Sequence, residues 1–348
     1  MLASAFSCIA LISSGPIFAQ SCASDINRDG VVAAEDLSQI LQSWGPCFGC
    51  RADVDGDAIV GAQDLAAVLD AWGTVCAPWY TTLEDAPDPS IVFDAALRKA
   101  ILATELPWRV RHNATGIEML LVPPGTFMMG CAPSQAWACS SDGREHPLHQ
   151  VTITRAFYLG RFEVTQAEWT SATGSNPSFH SGFADSPSRP VERVSWYTAM
   201  EFVLARELRL PTEAEWEYAC RAGTSTAFHG SLAMPSGTDA DAAVDAIAWY
   251  QSNSGNRTHP VGGKAANAFG FHDMAGNVLE WVSDWYSPTY YATSPSVDPT
   301  GPEMGTQPVL RGGGYFVPSG STRVSARQGA IPTSNGSAIG VRVARDAE

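Results

Sequence analysis

RLPTEAEWEYACRAG, residues 209–223, holds the clearest helix start in the chain and sets the reading of everything around it. Thr212 stands at the N-cap position and Glu215 three residues on. The Thr212 hydroxyl can take the Glu215 amide while the Glu215 carboxylate returns to the Thr212 amide, with acidic residues at the positive end of the helix. Cys220 falls on the apolar side of this helix and reads as a buried structural thiol. A second helix is expected over Ser195 to Leu208, with Trp196, Ala199, Met200 and Val203 on one face. Upstream, IEMLLVPPGTFMMG at 117–130 reads as a strand broken by a turn at Pro123-Pro124-Gly125, and HQVTITRAFYLGRFEVT at 149–165 as a second strand-like run. Most of the rest is rich in Gly, Ser, Asn and Pro and reads as loops.

The chain has 348 residues, more than one hydrophobic core usually serves, so a small domain attached to a larger one is expected. Its net charge of −15 disfavours nucleic acid and anionic membranes, which need clustered Lys and Arg. Residues 20–77 carry nine carboxylates against two cations, a local net of −7 that calls for a counterion. Met1 to Ala19 is an apolar run too short to span a membrane and ends in a small residue, as a cleaved signal peptide does. Its N-terminal region has no Lys or Arg. No other stretch is apolar enough to span a membrane, so a secreted, periplasmic or cell-surface location is expected. Export permits disulfides. Cys131 and Cys139 could close a local one, and among Cys22, Cys47, Cys50 and Cys76 the pairs Cys22–Cys76 and Cys47–Cys50 are favoured over pairing within repeats.

Two copies of one pattern lie 28 residues apart. Asp25, Asn27, Asp29 and Asp36 occupy positions 1, 3, 5 and 12 of a loop, and Asp53, Asp55, Asp57 and Asp64 repeat them. Such oxygen sets surround a calcium ion, with position 7, Val31 or Ile59, adding a backbone carbonyl. Gly30 supplies the sharp turn at position 6 of the first loop. The second has Ala58 there, which needs a left-handed backbone if the turn is kept. Each loop leads into an apolar helical pattern, Leu37, Ile40, Leu41, Trp44 and Leu65, Val68, Leu69, Trp72, closed by Gly45 or Gly73. The pair resembles type I dockerin repeats, which would make 20–77 a small all-α calcium-loop module binding two ions. A cohesin-like or cell-surface protein is the implied partner, and a calcium-stabilised spacer the plainer reading. Residues 78–112, with Pro78, Pro87 and Pro89 and a short helix from Asp94 to Leu106, read as a linker.

The large domain, 113–348, resembles the formylglycine-generating enzyme, or sulfatase-modifying factor, family. The matching motifs are VPPGTFMMG at 122–130, FEVTQAEW at 162–169, PVERVSW at 190–196, the 209–223 stretch, NAFGFHDMAGNVLEWVSDWY at 267–286, RGGGYF at 311–316 and GVR at 340–342. The resemblance implies an irregular α+β fold related to C-type lectins, with little regular secondary structure. It also implies a calcium site formed by the side chains of Asp273 and Glu280 and the carbonyls of Gly276 and Val278. Asn253 is a weak candidate for a second. The family's oxidation of a substrate cysteine uses copper(I) on two cysteines after RGG. Those positions fall here on Val317 and Thr322, and the serine that follows RGG in the family is Gly314. Copper and oxidase activity are therefore not expected. Arg311, Arg323, Arg327 and Arg342 either line a ligand groove for an acidic peptide or sugar, or pair internally with Glu280 and Asp284. His146, His149, His259 and His272 read as structural. The favoured function is a secreted, calcium-binding, catalytically altered relative that binds a peptide or glycan. The alternatives are a formylglycine-type oxidase and a structural cell-surface assembly protein.

Overall fold

The computed structural model describes residues 24–347 apart from 28–29, 48–49, 56, 75, 77, 133–138 and 231–235. The expected signal peptide, Asp29 and Cys22 lie outside the described residues. The chain divides into two compact units, Met1–Trp79 and Tyr80–Glu348.

In the first unit, α1 (Ala34–Gln42), β1 (Gly45–Pro46), β2 (Ile59–Val60) and α2 (Ala62–Asp70) form a duplicated arrangement. One carboxylate per repeat closes its loop. Asp36 accepts the amides of Ile26 at 2.7 Å, Asn27 at 3.0 Å and Ala33 at 2.8 Å. Asp64, 28 residues on, accepts those of Val54 at 2.7 Å, Asp55 at 3.2 Å and Gly61 at 2.7 Å. The backbone pairing is reciprocal: Val60 lies opposite Gly45, and Val32 exchanges hydrogen bonds with Gly73 and Thr74 beyond α2. Ala58 adopts φ +68°, the left-handed turn required at position 6 of the loop, where Gly30 has φ +92°.

Two expectations for this unit change. It is not purely helical, since β1 and β2 pair antiparallel. Only part of the apolar pattern is inside. Ile40 and Val68 are fully buried with Ile26, Val32 and Val60, while Leu41, Trp44, Leu69 and Trp72 are exposed. Each nine-residue helix faces one small core, which takes one narrow stripe, and both tryptophans lie beyond the helix ends. Cys47 and Cys50 are bonded as expected, and Cys76 is also in a disulfide, whose other half lies outside the described residues.

The second unit opens with β3 (Tyr80–Glu84), α3 (Ala95–Leu102) and β4 (Arg109–His112), followed by β5 (Glu118–Val122), β6 (Gly125–Met129), β7 (His149–Ile153) and β8 (Phe157–Gly160). Next come α4 (Gln166–Thr173), α5 (Trp196–Leu204) and α6 (Glu213–Arg221), then β9 (Leu279–Trp285), β10 (Pro308–Arg311), β11 (Arg327–Gly329), β12 (Ile339–Val341) and β13 (Ala344–Asp346). A five-stranded antiparallel sheet has the order β13-β8-β5-β4-β3, a four-stranded one β11-β10-β9-β12, and β6 pairs with β7. The segment read as a linker thus supplies two strands of the larger sheet, and its helix begins at an Asp94 N-cap that accepts from Ala96 and Leu97. The run at 149–165 splits between two sheets at Arg155–Ala156.

Local expectations hold at α6, where the Glu215 amide donates to Thr212 Oγ1 at 3.1 Å and the Thr212 amide to Glu215 at 2.8 Å. The T-x-x-E spacing at Thr165 and Glu168 builds the same box on α4. Helix α5 starts after Ser195 as read but ends at Leu204, with Ala199, Phe202 and Val203 inside. Among the described residues no helix is long and apolar enough to cross a membrane.

Candidate functional site

The centre of the second unit is a set of buried ion pairs between α6 and the strands beside it. In the four-stranded sheet Glu280 lies opposite Arg311 on β10 and Gly340 on β12. Trp216 of α6 donates its indole N–H to Glu280 at 2.6 Å, and Arg342 holds the same carboxylate at 2.7 and 3.0 Å. Arg311 binds Glu217, Arg327 binds Glu213 at 2.7 Å, and Arg323 binds Glu145 at 2.6 Å. All four guanidinium groups are buried. Arg311, Arg323 and Arg327 line a recess beside β10, and all four arginines are also paired internally. Each is consumed by a carboxylate, because a buried charge without a partner would be far costlier than the pair. Of the two internal partners foreseen, only Glu280 is used. Asp284 instead accepts the Glu213 amide at 2.8 Å, and burial pushes its carboxyl up to about 8.

Beyond β10 the chain turns at Gly312 and Gly313, both with positive φ, and a Cβ on Gly313 would lie 2.7 Å from the Ser321 carbonyl. This tight approach sets the path through Gly314, Val317 and Thr322. Val317 accepts the Gln251 amide at 2.9 Å through its carbonyl, and the buried Thr322 hydroxyl donates to Ser319 at 2.8 Å. A recess of about 360 Å³ lies beside this loop, lined by Ser140, Glu145, Gly313, Ser321, Arg323 and Gln328 among others. Cys131 and Cys139 are bonded to each other, as expected, and the Cys131 sulfur lies 4.0 Å from the Arg323 guanidinium. Among the described residues the free thiol is Cys220, buried on α6 and donating to the Met274 carbonyl at 3.7 Å. Burial pushes that thiol up to about 12.

The residues assigned to calcium behave unequally. In the second loop of the first unit, oxygens of Asp53, Asp55 and Asp57 lie within 4.8 Å of one another. Three carboxylates so close suit a hard divalent cation. In the large unit, Asp273 Oδ2 accepts the Gly262 amide at 2.7 Å, while its buried Oδ1 has no hydrogen-bond partner. Burial raises this carboxyl to about 6. Glu163 stands close enough to interact, bound to the amide of Val278 at 2.9 Å and the side chain of Asn277 at 2.7 Å, and burial pushes it well up. Glu280 is a correction: its oxygens are taken by Arg342 and Trp216 rather than left for an ion. Gly276 must be glycine, since a Cβ would lie 2.2 Å from the Trp249 carbonyl. Asn253 is spent on Asp245 and the Ala248 carbonyl. Of the histidines, His149 contacts the Pro147 carbonyl and Tyr291, and His259 stacks on Trp249 at 3.8 Å.

A profile of the sulfatase-modifying factor enzyme 1-like domain matches residues 106–347. The chain belongs to this family. It is 38% identical over 287 residues to a formylglycine-generating enzyme of Streptomyces coelicolor, covering 65% of this chain and 88% of that one. It is 30% identical to the chaperone protein LppX of Paenibacillus barcinonensis, covering 49% of this chain and 72% of the relative. Among solved structures, Treponema denticola variable protein 1 superposes with a TM-score of 0.58 at 29% identity, over 66% of this chain and 95% of that one. PvdO from Pseudomonas aeruginosa superposes with 0.56 at 28%, over 67% and 95%. These likenesses bear out a mixed α+β architecture for the sulfatase-modifying-factor domain.

Within that domain, sequence reasoning missed Glu145, Glu163, Glu213 and Glu217, the carboxylates that take up the arginines or face Asp273. A signal was present on α6. Glu213 and Glu217 share one face with Trp216, Ala214 and Cys220, all buried. Acidic residues on the inward side of a helix demand cationic partners.

Proposed function

We propose that this chain is an exported calcium-binding protein whose sulfatase-modifying-factor domain binds a peptide or glycan and does not oxidise cysteine. The observation that carries the reading is the chemistry at Gly314, Val317 and Thr322. Copper(I) is held by soft thiolate or thioether ligands. These positions offer an alkyl group and a hydroxyl, and Cys131, whose sulfur lies 4.0 Å from the guanidinium of Arg323, is joined to Cys139. A recess persists beside them, walled by polar side chains. Anaerobic titration with copper(I), followed by turnover of a cysteine peptide with oxygen, tests this. Thiolate-to-copper charge transfer together with aldehyde formation would overturn it and favour the oxidase.

The N-terminal repeats belong to the same reading as a dockerin-like module holding two calcium ions. Asp53, Asp55 and Asp57 would crowd one another without a cation, and the module's core is small. Its partner would be a cohesin-like or cell-surface protein. A further ion beside Asp273 is supported by the unpartnered oxygen there and by the acidic neighbour Glu163, with the carbonyls of Gly276 and Val278 completing the set. Disulfides support passage through an oxidising compartment. Chelation should cost helical circular dichroism in a fragment spanning 20–77, and calcium should restore it. An unchanged spectrum in excess EDTA would sink the calcium assignment. N-terminal sequencing of the exported protein should begin near Gln20.

A further inference from the structure

Buried arginines of the large unit are consumed by carboxylates, but some at its surface are not. Arg193 and Arg257 are exposed, and neither forms an ion pair with any described residue. Asp185, close enough to interact with Arg257, is bonded to Arg189 at 2.7 Å. Each of the two guanidinium groups lies over a surface phenyl ring, Arg193 at 5.8 Å from the centre of Phe179 and Arg257 at 5.3 Å from that of Phe183. Phe179 is 65% exposed, Phe183 39% and Phe316 45%. The rings are not scattered. The buried His180 joins them, with its centre 5.1 Å from Phe179, 6.3 Å from Phe183 and 5.1 Å from Tyr315, whose own ring is 5.7 Å from Phe316.

The loop that presents these rings is held in place from beneath. Glu192 accepts the amides of Phe179 at 2.9 Å and His180 at 2.6 Å, and Ser186 Oγ accepts that of Phe183 at 2.9 Å. A surface ordered in advance loses little conformational entropy when it binds. Phe316 precedes Val317, so this platform borders the loop that carries Gly314, Val317 and Thr322.

We infer that Phe179, Phe183 and Phe316, with Arg193 and Arg257, bind an extended peptide in which carboxylates alternate with apolar side chains. This rests on the reading of the domain as a binding module and names the ligand that module takes. The charge argument is local: in a chain of net charge −15, Arg193 and Arg257 are exposed and outside any ion pair with the described residues, while their acidic neighbours Glu192 and Asp185 are engaged by the Phe179 and His180 amides and by Arg189. Arginine recognises carboxylates through paired, charge-assisted hydrogen bonds. Phenylalanine offers apolar area and no hydrogen-bonding group, so its rings suit leucine or phenylalanine side chains better than the hydroxyl-rich faces of a sugar.

The test uses the full chain and three fluorescent probes: a short peptide alternating glutamate with phenylalanine and leucine, the same peptide with lysine for glutamate, and a chondroitin sulfate oligosaccharide. The acidic peptide should bind, more weakly as salt is raised. Arg193→Glu with Arg257→Glu should weaken it by roughly tenfold or more, and Phe179→Ala and Phe316→Ala should each weaken it without a change in circular dichroism. Equal binding of the lysine peptide, preference for the oligosaccharide, or full affinity in the charge-reversed variant would overturn the inference. The copper turnover assay is read separately. A chain that oxidises cysteine yet prefers the acidic peptide refutes only the binding-module reading, and an inert chain without that preference refutes only this one.

Discussion

Arg342 and Glu280 face each other with neither side chain exposed, the guanidinium spanning both carboxylate oxygens at 2.7 and 3.0 Å. Two further guanidinium hydrogens go to the carbonyls of Gly160 and His272, both at 2.9 Å, and Glu280 also takes the Trp216 indole. One pair therefore ties the four-stranded sheet to β8 of the five-stranded sheet and to α6. Arg342→Met should leave Glu280 as an unpaired buried charge and destabilise the large unit by about 3–5 kcal/mol. Urea unfolding followed by near-ultraviolet circular dichroism measures it, and a loss below about 1 kcal/mol would contradict the dependence of the Glu280 charge on Arg342.

Ala58 pays for its left-handed turn where its counterpart at the first repeat is glycine. Ala58→Gly should relieve about 1 kcal/mol of strain, an amount offset in part by the greater freedom of glycine in the unfolded chain. The expected result is a higher thermal midpoint for the first unit in scanning calorimetry. A lower midpoint would mean that the turn imposes no strain on alanine.

Asp284 gives the large unit a pH dependence of definite sign. Its folded-state carboxyl is raised to about 8, above its unfolded value, so the folded state binds the extra proton. The stability this group contributes is fully present below about pH 4 and is lost as pH rises towards 8. Asp284→Asn keeps the acceptor for the Glu213 amide and removes the titration. Relative to the unaltered protein, the variant should gain stability between pH 5 and pH 8 in denaturant titrations. A difference that is constant with pH would count against the shift.

Cys220 should resist thiol reagents in the native protein. Its sulfur is buried and the thiol is held up at about 12, so almost no thiolate is present at neutral pH. Labelling with iodoacetamide, followed by peptide mass spectrometry, should find it unmodified until denaturant is added. Ready modification under native conditions would place that thiol nearer the surface than α6 allows.

Much of this molecule was legible in one dimension because the deciding interactions are local. The duplicated carboxylates, the turn at Ala58, the boxes at Thr212 and Glu215, and the short-range disulfides Cys47–Cys50 and Cys131–Cys139 each join residues close in sequence. The departures at Val317 and Thr322 were visible for the same reason, since they are a matter of residue identity within an ordered motif.

The partners of charges and apolar side chains were decided elsewhere. Arg342 finds Glu280 across 62 residues and Arg323 finds Glu145 across 178. No spacing rule reports such a pair, because what brings them together is the packing of α6 on two sheets. Arg109–His112 became a strand on the edge of β5, and Tyr80–Glu84 on the edge that β4 then offered. Leu41, Trp44, Leu69 and Trp72 stayed outside because a two-helix unit has room for one apolar stripe per helix. The sequence determined the family, the repeats and which residues stand at 314, 317 and 322. Only the folded chain decided which arginines are spent inside and which remain at the surface, since burial of a charge depends on neighbours that the linear order does not name.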